Sequence, residues 1–184
     1  MKKDFWINAI LHQIGWWSCV GFQGWLGPLL MFGFISTHWV LHPNERRQDL
    51  LLASVALLLG GSVDLTLSSV GAVNYQGSFE WGGVPLWIFS LWVGFGFTLR
   101  LSNSWLCTTP QRSFLLGIIA GPAAYAGASR IDLIALPYGL QSLIWIGSLW
   151  GPVLGVLAKV RAWSEADDRK SDSNPRNPSD RSPR

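Results

Sequence analysis

"LLLASVALLLGGSVDLTLSSV", from Leu50 to Val70, decides the fold. It is apolar all round a helix, not along one stripe, which marks a helix surrounded by protein or lipid. At ~1.5 Å of rise per residue such a run covers about 30 Å, the hydrocarbon thickness of a bilayer. One carboxylate, Asp64, interrupts it. A carboxylate inside a membrane costs about 3 kcal/mol at a helix centre unless it finds partners, so it is expected to face a bundle interior. An acid in that position is a candidate functional residue.

Five further segments have the same character, at about 5–22, 26–42, 85–102, 113–129 and 134–158. None alternates in the way a barrel strand does. The predicted fold is therefore all-α: a polytopic transmembrane helix bundle of about six spans. Composition agrees, since 14% of the residues are charged against roughly 25% in an average soluble domain. With six spans, one side collects Lys2, Lys3, Arg46, Arg47, Arg100, Arg112, Lys159 and Arg161, while the other has Arg130 beside Asp132. Basic loops face the cytoplasm, so both termini are expected inside, in a multi-pass membrane protein. That accounts for the net charge of +3. No basic stripe with interleaved aromatics points to a nucleic-acid partner.

The N-terminus starts basic and turns apolar, yet His12 and Gln13 interrupt the run and no small-x-small cleavage site follows, so it reads as an uncleaved membrane helix. At the other end, "SEADDRKSDSNPRNPSDRSPR" has almost nothing apolar to bury. It is expected to be a disordered polar cytoplasmic tail over 164–184, following a helical membrane domain over 1–163. Cys19 and Cys107 form no CxxC pair and are expected on opposite sides, without a mutual disulfide.

The chain holds 12 tryptophans. Trp6, Trp39, Trp105 and Trp163 fall near the expected inner surface and Trp25, Trp81 and Trp87 near the outer, where indoles prefer to sit. Trp16, Trp17, Trp92, Trp145 and Trp150 lie deeper, filling gaps or lining a cavity. Gly117 and Gly121 form a GxxxG step, and Gly147, Gly151 and Gly155 form a ladder in the last helix. Such faces let backbones approach closely, between the fifth and sixth helices or with a second copy of the chain. Pro122 and Pro152 follow Gly121 and Gly151 inside helices, where each removes a hydrogen bond and kinks the axis.

The intramembrane polar residues form the candidate site. Counting helical rise, Asp64 and Gln141 lie at similar depth in the outer half, with Tyr125 and Tyr138 somewhat above and Arg130 able to reach down. His12 and Gln13 sit near mid-membrane. In the plain structural reading, Asp64 bonds to Ser62, Thr66 or a facing helix and acts as glue. His38 and His42, four apart on one face, are a possible metal pair, but Pro43 ends the helix beside them and no metal or cofactor is expected. No hydrolase, metalloprotease or nucleotide-binding motif is present.

Four stretches carry a family resemblance: "NAILHQIGWWSCV" (8–20), "GSVDLTLSSVG" (61–71), "PLWIFSLWVGFGFTL" (85–99) and "LGIIAGPAAYAGASRIDLI" (116–134). Together they resemble a bacterial family of small polytopic membrane proteins, domain of unknown function 2878, over about residues 5–160. The family tends to place a Gln near Gln13, an Asp near Asp64 and a Gly-Pro pair at Gly121–Pro122. It departs from this chain at Ser129–Asp132, where members often carry a small, Gly-containing run. The resemblance implies no established activity. It implies a link to membrane lipid and to fatty-acyl-modifying enzymes as partners. The expected role is non-catalytic: binding, moving or presenting a lipid or hydrophobic small molecule, with Asp64 and Gln141 as polar anchors. The alternatives are an intramembrane enzyme or a proton-coupled transporter using Asp64.

Overall fold

The computed structural model describes residues 2–173. Its order is α1 (Lys2–Phe22), α2 (Leu26–Leu41), α3 (Arg46–Ser69), β1 (Asn74–Tyr75), β2 (Glu80–Trp81), β3 (Val84–Pro85), α4 (Leu86–Gly96), a 3-10 turn at Ser104–Cys107, α5 (Pro110–Arg130), β4 (Ile134–Ala135) and α6 (Leu140–Ser173). The all-helical expectation holds. Two helices, α3 and Leu140–Asp167 of α6, are long and apolar enough to cross a membrane, and α2 and α4 are shorter apolar helices.

Local chemistry sets the boundaries. Thr109 caps α5 from an extended conformation, its side chain accepting from the Arg112 N–H, with Pro110 at the first helical position. Gly82 and Gly83 both have positive φ, at 60° and 76°, and make the two-residue turn that joins β2 to β3. Two expected spans are corrected. The segment 85–102 is helical only to Gly96. Beyond it Thr98 Oγ1 donates to the Phe95 carbonyl and Asn103 Nδ2 donates to Thr98 Oγ1, side-chain bonds that compete with helix continuation. The segment 134–158 opens as a strand, and α6 begins at Leu140, because Pro137 has no N–H to give and Gly139 takes φ 55°. At its far end α6 runs on to Ser173, ten residues into the segment expected to be disordered. Arg161 Nε donates to Glu165 Oε1 at 2.8 Å, one turn on, across the expected boundary at 163. The rest of that tail, 174–184, lies outside the described residues.

The helices pack as three neighbouring pairs: α1 with α2, α3 with α4, and α5 with α6, with α3 also meeting α6 and α4 meeting α1 and α2. The small β1–β4 ladder pairs Tyr75 with Ile134 and so ties the α3–α4 loop to the α5–α6 loop. The core holds Leu52, Ala56, Leu67, Val73, Val84, Phe97, Leu99, Ile146, Leu154 and Leu157. Cys19 and Cys107 are both buried and free. Burial pushes the Cys107 thiol up to about 11, against the opposing pull of Arg161.

The glycine faces are used within the chain. A methyl group at Gly117 would lie 2.5 Å from the Trp150 carbonyl oxygen, and one at Gly147 would lie 2.8 Å from the Ile118 carbonyl oxygen. That second carbonyl is the one Pro122 leaves without its helical donor. Gly151 likewise faces Ile118 and Phe114. The α5–α6 contact is therefore backbone against backbone. Gly117→Ala and Gly147→Ala are each expected to lower stability by about 1–3 kcal/mol through overpacking. Gly127→Ala, where nothing lies within 4 Å, should be neutral or slightly stabilising. Thermal unfolding of the three purified variants checks this, and a Gly117→Ala protein as stable as Gly127→Ala would refute the close approach.

Candidate functional site

Asp64 projects from α3 and is fully buried. Three donors surround its carboxylate. Trp92 Nε1, from α4, reaches Oδ2 at 2.5 Å; Tyr75 Oη, from β1, reaches Oδ1 at 2.6 Å; and the Tyr125 hydroxyl, from α5, also donates to Oδ1. Each partner has its own support. The β1–β4 ladder holds Tyr75. Gly60 lets the Trp92 ring lie directly on α3, where any Cβ would collide with it. Tyr125 packs edge-on against Trp150, with ring centres 6.1 Å apart at 84°. Burial, and after it the neighbouring Tyr125 and Asp64, push the Tyr75 hydroxyl far above the ordinary tyrosine range, so it remains a donor.

Beside this group lies a cavity of about 180 Å³. Its back wall is α4, with Trp87, Ile88, Leu91, Trp92 and Phe95; α1 contributes His12, Trp16 and Val20; α5 contributes Ala124, Tyr125 and Ala128; and Trp150 comes from α6. Ala124 is exposed while Trp16, Leu91, Phe95 and Ala128 are half-buried, so the cavity opens sideways between α1 and α5. His12 is buried, and its Nε2 has no hydrogen-bond partner. It packs edge-on against Phe34.

The structure brings together some of the expected site residues and separates others. Asp64 and Tyr125 are in direct contact, and His12 lines the same cavity. Gln141 is exposed at the start of α6: the helix begins six residues later than expected, which moves Gln141 into its first turn and away from Asp64. Gln13 is exposed on the outer face of α1 with Trp6, Ile10 and Trp17, because the residue after His12 turns about 100° round the helix. Tyr138 is exposed and packs edge-on against Trp145. Arg130 is exposed too. The glue partners nearest in sequence do not serve: Ser62 and Thr66 donate back to the Leu58 and Ser62 carbonyls. Gly121 meets Trp150, Pro122 lies near Gly147 and Gly151 meets Ile118 and Phe114 on the α5–α6 contact, while Pro152 is exposed within α6. Trp87 is buried, its Nε1 donating to the Gln76 carbonyl at 3.1 Å, while Trp17 is 61% exposed and so fills no gap between helices.

A second buried polar group was not anticipated. His38 Nε2 meets Asp49 Oδ2 at 2.9 Å, and its Nδ1 meets Asn8 Nδ2 at 3.1 Å. Asn8 Nδ2 also donates to the Phe97 carbonyl, and Asn8 Oδ1 accepts from Ser102 Oγ at 2.5 Å. Both ring nitrogens of His38 are thus engaged, which leaves none for a metal shared with His42, and no cluster of three metal-ligating side chains occurs among the described residues. A signal was present. His38 and Asp49 lie eleven residues apart, each one helical turn from the short α2–α3 connection, and residues so placed in a helical hairpin face one another. Asp64 and Tyr75 have the same separation across the end of α3.

Residues 5–156 match the family described as "Protein of unknown function (DUF2878)", and the chain belongs to it. No curated protein and no solved structure matches the chain significantly.

Loss of one donor leaves a buried carboxylate short of solvation. Tyr75→Phe and Tyr125→Phe are each expected to cost about 1.5–3 kcal/mol, the range for a hydrogen bond to a charged group, while Gln141→Ala changes nothing. Denaturation midpoints check this; equal midpoints for Tyr125→Phe and wild type would count against the contact. His38→Ala strands Asp49 in the core and is expected to cost about 3–5 kcal/mol, read in the same measurement.

Proposed function

We propose that this chain is an integral protein of a bacterial inner membrane, with both termini cytoplasmic, that binds a membrane lipid or another hydrophobic small molecule in the cavity beside Asp64 and does not transform it. The observation that carries the reading is the cavity itself: about 180 Å³ in volume, walled by aromatic rings and opening sideways between helices. A dry cavity of ~150 Å³ suffices for a benzene-sized ligand, so this one has room for the end of an acyl chain or a small ring.

The outer surface supports the membrane setting. Leu29, Phe32, Leu58, Leu115, Ile119 and Ile144 are all well exposed, more large apolar side chain than a water-facing bundle displays. The exposed hydroxyls of Thr37, Ser62, Thr66 and Ser148 each donate to the carbonyl four residues back. That is how such groups are satisfied where no water is at hand. In this setting the sideways mouth at Ala124 faces lipid. The arrangement of Asp64 favours binding over catalysis or proton transport. Three donors occupy its oxygens, and an acid/base role would have to break those contacts in every cycle.

Ala124 sits at the mouth and is exposed, so Ala124→Trp is expected to fold normally and block entry. Native mass spectrometry of protein purified in maltoside should show a bound lipid or other apolar molecule on wild type and none on Ala124→Trp. The same adduct on both proteins, or none on wild type, would refute the cavity as the binding site.

A further inference from the structure

Asp64 is a buried carboxylate without a cation. Its three contacts are neutral donors, and among the described residues no Lys, Arg or His forms an ion pair with it. The adjoining cavity is walled by Trp16, Trp87, Trp92, Trp150, Tyr75 and Tyr125. Trp92 and Trp150 meet at 4.8 Å and 43°, and Tyr125 meets Trp150 at 84°, so the rings form a corner and not a parallel stack. We propose that this cavity takes a methylated ammonium group, of the choline or tetramethylammonium kind, held by the aromatic walls with the Asp64 carboxylate as its counter-charge. The proposal rests on the cavity being the binding site and names the chemistry of its occupant.

The distribution of acceptors selects the class. A primary ammonium carries three N–H donors and needs an acceptor for each. Here Asp64 Oδ1 already accepts two hydrogen bonds and Oδ2 a third. A quaternary ammonium needs no acceptor. It needs aromatic faces and a nearby negative charge, and it draws a cation–π attraction that strengthens when water is excluded. About 180 Å³ accommodates a trimethylammonium group, which is close in bulk to the benzene that fills a cavity of ~150 Å³. His12 Nε2, buried in the same wall without a partner, can pair with an oxygen on the arm that carries the cation.

The test is isothermal titration calorimetry on the full chain in maltoside, a detergent without a choline head. The titrants are tetramethylammonium, choline, ethanolamine and 3,3-dimethylbutan-1-ol, the last being the neutral isostere of choline. The expected result is binding of the two methylated cations at least roughly tenfold tighter than the isostere, with ethanolamine also weaker. Asp64→Asn should erase the preference for charge. Trp16→Leu removes one wall while leaving every Asp64 hydrogen bond in place, and should weaken choline binding several-fold; it keeps the proposal testable if Asp64→Asn does not fold. Equal binding of the isostere, or of ethanolamine, overturns the methylated cation and leaves the cavity as an apolar site. No binding of any titrant overturns the proposal as well, and the bound molecule seen by native mass spectrometry then decides the cavity separately. Repeating the choline titration in nanodiscs of phosphatidylglycerol with and without phosphatidylcholine separates the two sources. Competition from phosphatidylcholine assigns the group to a lipid head, and unchanged choline binding assigns it to a free solute.

Discussion

A carboxylate that no water reaches must be solvated by the protein, and Asp64 imposes that demand on four elements at once. It sits on α3 and takes its hydrogen bonds from β1, α4 and α5. Each donor in turn relies on a contact of its own. Tyr75 can point back along α3 only because the β1–β4 ladder pins the loop that carries it. Trp92 can approach only because Gly60 has no side chain. Tyr125 is placed by α5, whose backbone rests on α6 through Gly117 and Gly147. The packing of the glycine faces and the polar knot are therefore one constraint: a shift of α5 away from α6 would withdraw a donor from a buried carboxyl group.

The same demand explains why a cavity remains. Aromatic rings fixed by hydrogen bonds to a carboxylate cannot rotate into neighbouring space without leaving it unsolvated. Interiors otherwise close to crystal-like density, and the second polar knot shows the usual outcome. Around His38 and Asp49 the side chains meet in direct contact, although Asp49 Oδ1 has no hydrogen-bond partner, with Phe34 and Phe97 packed against the imidazole. That group ties α1, α2, α3 and the segment after α4 together, and it borders none of the cavities described above. Of the two buried acids among the described residues, Asp64 is the one that lines the cavity.

Much of this was legible in the sequence and some was not. The helices follow from apolar runs longer than a strand can use, whereas α5 starts three residues before the expected 113, where Thr109 caps it. Asp64 stood out because a lone carboxylate in such a run has to be answered by something. Tyr125 was reachable by counting helical rise from the same end of the bundle. Gln141 was misplaced because the count assumed that helix continued back through Pro137 and Gly139. Tyr75 and Trp92 escaped notice for a different reason. Both are aromatic residues whose bulk suits a core or an interface, and nothing local to them reveals a long-range acceptor. The short end of α4 was hidden in Thr98 and Asn103, where hydroxyl and amide groups bond to the chain nearby instead of letting the helix run on.

The surroundings of Asp64 differ from those of the His38–Asp49 pair. Glue between helices requires two partners of matching shape and nothing beyond them; the His38–Asp49 contact meets that description. Asp64 carries three donors, a set of rings standing at angles, an unpartnered imidazole nitrogen across the same space, and an opening toward the outside of the bundle. A core selected only for stability would fill that space with the aliphatic side chains that border it, such as Ile88 and Leu91, since an empty volume forfeits contacts on every wall. Keeping it open lowers stability, a loss that the ligand site proposed above would offset.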